Sequence, residues 1–141
     1  TERQFGLLEL HSSDREEIYA AGDAILRGIG ARAEDQLAPR VLFEDIIEKL
    51  ADQHAIILNR SRTASMLVPG QSLLLCEMSP ALFACVAANE AERAAPGAVL
   101  NDVQMMGVSG RIFMSGDVEE LTKAQSAIRQ VLESVRGRFN E

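Results

Sequence analysis

Residues 110–121 read Gly-Arg-Ile-Phe-Met-Ser-Gly-Asp-Val-Glu-Glu-Leu, and this stretch decides the fold because a similar one lies near the start of the chain. Residues 6–18 read Gly-Leu-Leu-Glu-Leu-His-Ser-Ser-Asp-Arg-Glu-Glu-Ile. Both stretches run from a glycine through a short apolar segment and a polar turn to an Asp, a Glu-Glu pair and a helix. Glu16 and Glu119 are 103 positions apart. A period of this length indicates a duplicated domain rather than a solenoid.

The repeat predicts a partial first domain followed by a complete second one. We expect residues 1–38 to be the strand–helix tail of the first domain, 39–54 a linker containing a helix, and 55–141 a complete permuted domain. One strand and one helix cannot bury a core alone. The tail must therefore pack on the second domain, on another chain, or on a preceding segment, and we favour a truncated N-terminus. Chance similarity of two strand–helix units is the alternative.

The order of apolar runs predicts an α+β fold. In the tail, a strand over residues 6–10 precedes a helix that Ser13 or Asp14 caps and that ends near Gly28 and Gly30. The linker helix is expected over residues 42–51. Beyond it we expect strands at 55–58, 66–68, 73–78, 99–105 and 111–114, a helix opened by Ser79-Pro80, and a helix over 118–136. Such an order favours an antiparallel or mixed sheet with helices packed on it.

Composition excludes several classes of partner. Hydrophobic residues make up 47% of the chain and charged residues 25%, as in folded proteins. The net charge of −7 argues against nucleic acid, because phosphate binding needs a basic surface. The sequence has no apolar run of membrane-spanning length and no secretory signal. We therefore expect a cytoplasmic protein with neither nucleic-acid nor membrane partners.

No group of residues predicts catalysis. The two histidines, His11 and His54, are far apart in sequence and lack ligand-spaced neighbours, so we expect no metal, no cofactor and no catalytic residue. Cys76 and Cys85 are expected to be reduced and buried, with a disulfide or a catalytic thiol as the alternatives. The acidic pairs of the helices are interpreted as solvated faces.

Three further runs carry a resemblance to a known family: residues 73–81 (Leu-Leu-Leu-Cys-Glu-Met-Ser-Pro-Ala), 87–95 (Ala-Ala-Asn-Glu-Ala-Glu-Arg-Ala-Ala) and 107–117 (Gly-Val-Ser-Gly-Arg-Ile-Phe-Met-Ser-Gly-Asp). In this order and spacing they resemble the shell domain of bacterial microcompartments. Residues 58–70 resemble the circularly permuted tandem version, in which the family's last strand precedes the rest of the domain.

The resemblance implies a structural protein that assembles with itself, as a homotrimer or pseudohexamer with a central pore, and with other shell proteins in a microcompartment shell. The pore loop would be Met106, Gly107, Val108, Ser109 and Gly110. Glu2 and Arg3 lie where some tandem members gate the pore, and inward-pointing arginines would favour small anionic metabolites. Arg93 lies near the tile edge, where the family usually has Lys.

Two questions stay open at the level of sequence. Asn59, Arg60 and Arg62 are candidates for a small anion site on a central hairpin, and a solvated loop is the alternative. Two other functions also remain. A small-ligand-binding regulatory module of ferredoxin-like type would form discrete small oligomers rather than sheets, and an enzyme would turn over a substrate.

Overall fold

The computed structural model describes residues 6–60 and 65–139, which form two compact units. The smaller unit holds the residues up to 38 and those from 136 onward; the larger unit is 39–135. The smaller unit contains helix α1 (Arg15–Ile29) and a 3-10 turn (Ala33–Asp35). The Asp14 side chain accepts a hydrogen bond from the Glu16 backbone N–H, and Gly30 ends the helix in the left-handed conformation. Of the predicted cap residues Ser13 and Asp14 the structure uses Asp14, and the predicted end near Gly28 and Gly30 is at Gly30.

In the larger unit the described residues form a four-stranded antiparallel sheet in the order β1-β2-β4-β3. The strands are β1 (Arg40–Ile47), β2 (Ser72–Ser79), β3 (Val99–Met106) and β4 (Ser109–Gly116). The helices are α2 (Asp52–Asn59), α3 (Phe83–Ala94) and α4 (Val118–Ser134). The predicted α+β class, with an antiparallel sheet and helices packed on it, is confirmed.

The main core lies between the sheet and helices α3 and α4. All four buried residues of α3 are alanines, so the helix can approach the sheet closely. Helix α4 contributes larger side chains at helical spacing. The buried row of α4 is Leu121, Ala124, Ile128 and Leu132. The opposite face of the sheet is covered at one end by a smaller cluster of buried residues. That cluster consists of Leu50, Ala55, Leu67 and Leu73.

Three element predictions in the larger unit were wrong, and the first two are coupled. The helix predicted over residues 42–51 is strand β1, which pairs with β2. The strand predicted over 55–58 is helix α2, and residues 66–68 lie in a loop. The apolar residues in 42–50 do not alternate as in a regular strand, because a bulge between Val41 and Phe43 shifts the strand register. Their agreement with a helical spacing was coincidental. Since β1 occupies the edge beside β2, residues 55–58 have no place in the sheet.

Two further predictions also failed for lack of tertiary information. Strand β2 continues through Ser79 and α3 begins at Phe83, so Ser79 is not its cap. Residues 6–10 were predicted as a strand, yet they form no strand and are exposed. A strand needs a hydrogen-bonding neighbour, and no described residue provides one for this segment.

Candidate functional site

The segment predicted as a pore loop is a tight hairpin. Met106 ends β3, Ser109 begins β4, and only Gly107 and Val108 form the turn. Gly107 has φ of +61°, a left-handed conformation that glycine adopts without strain. The apolar side chains of Met106 and Val108 are exposed. The hairpin therefore presents apolar groups on a short, well-paired turn.

Gly110 is buried where the start of α3 lies against β4. A Cβ atom at this position would be 2.6 Å from the Cβ of Ala84 and closer still to the carbonyl oxygen of Ala81. Real Cβ atoms do not approach other heavy atoms this closely, so a side chain would force the helix away. The contact within the chain explains the glycine here. Its predicted role beside a pore axis stays a prediction.

The base of the hairpin is held by a polar group on the open face of the sheet. The Ser109 hydroxyl donates a hydrogen bond to Glu77 Oε1 at 2.7 Å, and Arg111 Nε lies 3.2 Å from Glu77 Oε2. Glu77 and Arg111 are directly opposite each other on β2 and β4. The Ser109 hydrogen bond and, after it, the Arg111 guanidinium lower the pKa of the Glu77 carboxyl from its usual value.

This polar group predicts acid sensitivity. A carboxyl whose pKa is lowered by folding stabilises the protein above its unfolded pKa, and this contribution is lost as the pH falls through the folded pKa. Wild-type stability should therefore decline more steeply between about pH 5 and about pH 3 than that of Glu77→Gln. Urea denaturation at several pH values would measure the two slopes. Parallel profiles would mean that Glu77 does not contribute.

An exposed apolar surface surrounds the hairpin. Helix α3 exposes Cys85 and Val86, and Leu82, the residue just before the helix, is exposed on the same side at helical spacing from them. Cys85 Sγ lies 4.0 Å from Met105 Sδ. We call this the hairpin surface. Its members are Leu82, Cys85, Val86, Met105, Met106 and Val108. Sequence analysis missed the α3 part, although its i, i+3, i+4 spacing was a readable signal.

The two cysteines differ in environment. Cys76 is buried, as predicted, and burial raises the pKa of its thiol to about 12, so it stays protonated. Cys85 was also expected to be buried, and this was wrong, because it lies on the exposed side of α3. Both are free thiols.

A second apolar surface lies at the other edge of the sheet. Strand β1 forms that edge and exposes Leu42 and Phe43, which we call the β1 surface. Phe43 also lines a groove of about 220 Å³ on the open face of the sheet, together with Leu75 and Phe113. The Glu77–Arg111 pair lies in the same groove. The hairpin and β1 surfaces thus belong to opposite edge strands.

The remaining predicted site residues are separate from the hairpin. Glu2, Arg3 and Arg62 lie outside the described residues. Asn59 and Arg60 lie at the end of α2, not on a hairpin. The Asn59 amide accepts from the Leu67 N–H and donates to the Leu67 carbonyl, both at 2.8 Å, which occupies the group that an anion site would use. The anion site stays a prediction.

Arg93 is in the last turn of α3, as predicted, and is exposed. Its Nη1 lies 3.4 Å from Glu90 Oε1. At this distance and exposure the ion pair contributes little to stability. The side chain therefore remains available for contacts with another molecule.

Among the described residues, no group of three or more His, Cys, Asp or Glu side chains is arranged to hold a metal ion. Within the ranges 6–60 and 65–139, no helix combines the length and apolarity that a membrane crossing requires. His11 lies 3.0 Å from Glu9, and His54 is exposed on α2.

Comparison with known proteins gives consistent matches. A family model described as the CsoS1D N-terminal domain matches residues 1–35. The carboxysome shell protein CcmP of Synechococcus elongatus is 36% identical over 137 residues, which is 97% of this chain and 64% of CcmP. This chain therefore spans less than two thirds of that relative's length.

Two solved structures are also similar. The double ringed trimeric shell protein MSM0271 from the RMM microcompartment is 58% identical, with a TM-score of 0.89 over 92% of this chain and 64% of that one. The fused permuted hexameric shell protein MSM0275 from the same microcompartment is 36% identical, with a TM-score of 0.80 over 86% of this chain and 61% of that one.

Proposed function

The chain belongs to the circularly permuted shell proteins of bacterial microcompartments, and we propose from this premise that it is a structural subunit of such a shell. Copies of the chain associate around an axis as a homotrimer with pseudo-sixfold symmetry, and the rings contact other shell proteins. The role is structural rather than catalytic. The protein acts in the microcompartment shell, inside the cell.

The observation that carries the proposal is the pair of apolar surfaces on opposite edge strands. A surface that meets a different surface on its neighbour makes a head-to-tail contact, and such contacts close into rings. The hairpin surface and the β1 surface are suited to this because they lie at β3 and β1, the two ends of one sheet. Burying exposed Leu, Val, Met and Phe side chains between copies supplies the driving force.

The hairpin is proposed to line the pore. Two of its features support this: a two-residue turn needs little space near an axis, and Gly107 brings no side chain there. Glu2 and Arg3 are proposed to gate the pore, and an inward-pointing Arg3 is proposed to favour small anionic metabolites through its positive charge. Arg93 is proposed to contact a neighbouring ring at the tile edge, with a geometry different from that of Lys.

Charge placed on the hairpin surface tests the ring. Val86→Glu is expected to weaken self-association at least about tenfold, because a carboxylate would be buried in the contact. Ser126→Glu is the matched control, since it adds the same charge to the exposed side of α4. Sedimentation would measure the association, and circular dichroism would verify the fold. Equal association of wild type and Val86→Glu would show that the hairpin surface is not a contact between subunits.

A further inference from the structure

One carboxylate of β2 holds two polar groups of the hairpin. Glu77 Oε1 accepts the Ser109 hydroxyl at 2.7 Å and Arg111 Nη2 at 3.3 Å. Glu77 Oε2 lies 3.2 Å from Arg111 Nε. Ser109 and Arg111 belong to the first three residues of β4, directly after the turn. The hydroxyl and the guanidinium nearest the turn are therefore both directed to β2.

Glu77 also cancels the charge that Arg111 brings to the hairpin. The pKa of Glu77 is lowered from its usual value, first by the Ser109 hydrogen bond and then by Arg111, so the carboxyl is ionised near neutral pH. On the other side of Arg111, its register partner on β3 is Gln104, which is uncharged and donates to Asp102 at 2.8 Å. The counter-charge directly opposite Arg111 in the sheet is therefore that of Glu77.

Arg111 is close enough to the turn for its charge to act at a pore rim. A strand rises about 3.4 Å per residue, so the Cα atom of Arg111 lies about 7 Å from that of Ser109, where the turn ends. Charges act over about 8 Å at physiological ionic strength. The Arg111 side chain is 39% exposed, so solvent ions reach it. An unpaired Arg111 would attract anions to a passage lined by the hairpin, and a paired one attracts them far less.

We propose that Glu77 is a specificity-determining residue of the pore, which acts by neutralising Arg111 and by holding the Ser109 hydroxyl against β2. The hairpin then offers a passing small metabolite neither a free charge nor this hydroxyl, so at this level the passage selects by size and not by the sign of charge. The inference rests on the proposed function, because it requires the hairpin to line the passage. It places the control of charge selection on β2, outside the turn itself.

The test measures the permeability ratio of chloride to potassium for rings of the 141-residue chain in planar lipid bilayers, from the reversal potential in a potassium chloride gradient. Glu77→Gln keeps the length of the side chain and an oxygen that can accept from Ser109, but removes the negative charge. The ratio should rise at least about threefold, because Arg111 is left unpaired. Combining Glu77→Gln with Arg111→Gln gives a neutral pair and should restore the wild-type ratio, which a merely structural role of Glu77 would not do.

Two further variants complete the test. Glu119→Gln is the matched control, since Glu119 is an exposed acid of α4 that pairs with Lys123, and its ratio should equal that of the wild type. Arg111→Gln alone should lower the ratio, because Glu77 is then left unpaired. This variant keeps the test decisive if Glu77→Gln does not fold, which circular dichroism would show.

The outcomes separate this inference from the proposed function. Chains that form no rings, or rings that do not conduct, would contradict the proposed function itself. Conducting rings whose permeability ratio is the same in wild type, Glu77→Gln and Arg111→Gln would overturn the inference and leave the proposed function standing. A rise in Glu77→Gln that the neutral pair does not reverse would also overturn it, because the effect would then not act through Arg111.

Discussion

Replacing Gly110 by valine is expected to lower the free energy of unfolding by about 3 kcal/mol, at the upper end of the usual cost of overpacking. The added Cβ would overlap Ala84 and the carbonyl of Ala81, and neither backbone nor alanine can rotate away. The helix would have to move off the sheet, which opens the core that its alanines close. Urea denaturation measures the loss as a lower midpoint at unchanged slope.

Gly28→Val is the control for this substitution. A Cβ at Gly28 meets nothing within 4 Å, so valine there should be tolerated. If Gly110→Val unfolded at the wild-type midpoint, the close approach of α3 to β4 would be wrong. If it stayed folded but lost self-association, Gly110 would act at the subunit contact instead.

The second large effect is expected from truncating Ile128, compared with truncating Ile25, which occupies the equivalent position of the sequence repeat. Ile128→Ala should lower the free energy of unfolding by about 2–5 kcal/mol, because Ile128 is fully buried between the sheet and α3 and its truncation leaves a cavity. Ile25→Ala removes the same atoms from the half-covered α1, and should cost less than about 1 kcal/mol in this chain.

Chemical denaturation of the two variants and the wild type would measure this difference. Similar losses would mean that Ile25 is covered as Ile128 is, and would contradict the finding that α1 has no buried residue.

Local signals explain the parts of the fold that the sequence predicted. Helix α1 was bounded correctly by an aspartate cap and a left-handed glycine, which act within a few residues. Strands β3 and β4 were recognised because they flank a glycine-containing turn. Helix α4 was recognised from its apolar period, and the repeat fixed its alignment with α1.

The errors arose where distant residues decide the structure. Residues 42–50 fit a helical period, but pairing with β2 makes most of them a strand, and no nearby residue reports that pairing. The opposite error was made for residues 55–58, which were predicted as a strand and lie in helix α2. In the candidate site, the turn of the hairpin was predicted. The hydrogen bond from Ser109 to Glu77 was not, because it joins residues 32 positions apart and no local sequence pattern indicates it.

Light scattering of the purified wild-type chain would show whether this chain assembles into rings. We expect a mass of three or more chains of 15.4 kDa each, because both apolar surfaces of the contact lie within the larger unit. A monomer of 15.4 kDa at every concentration tested would contradict it.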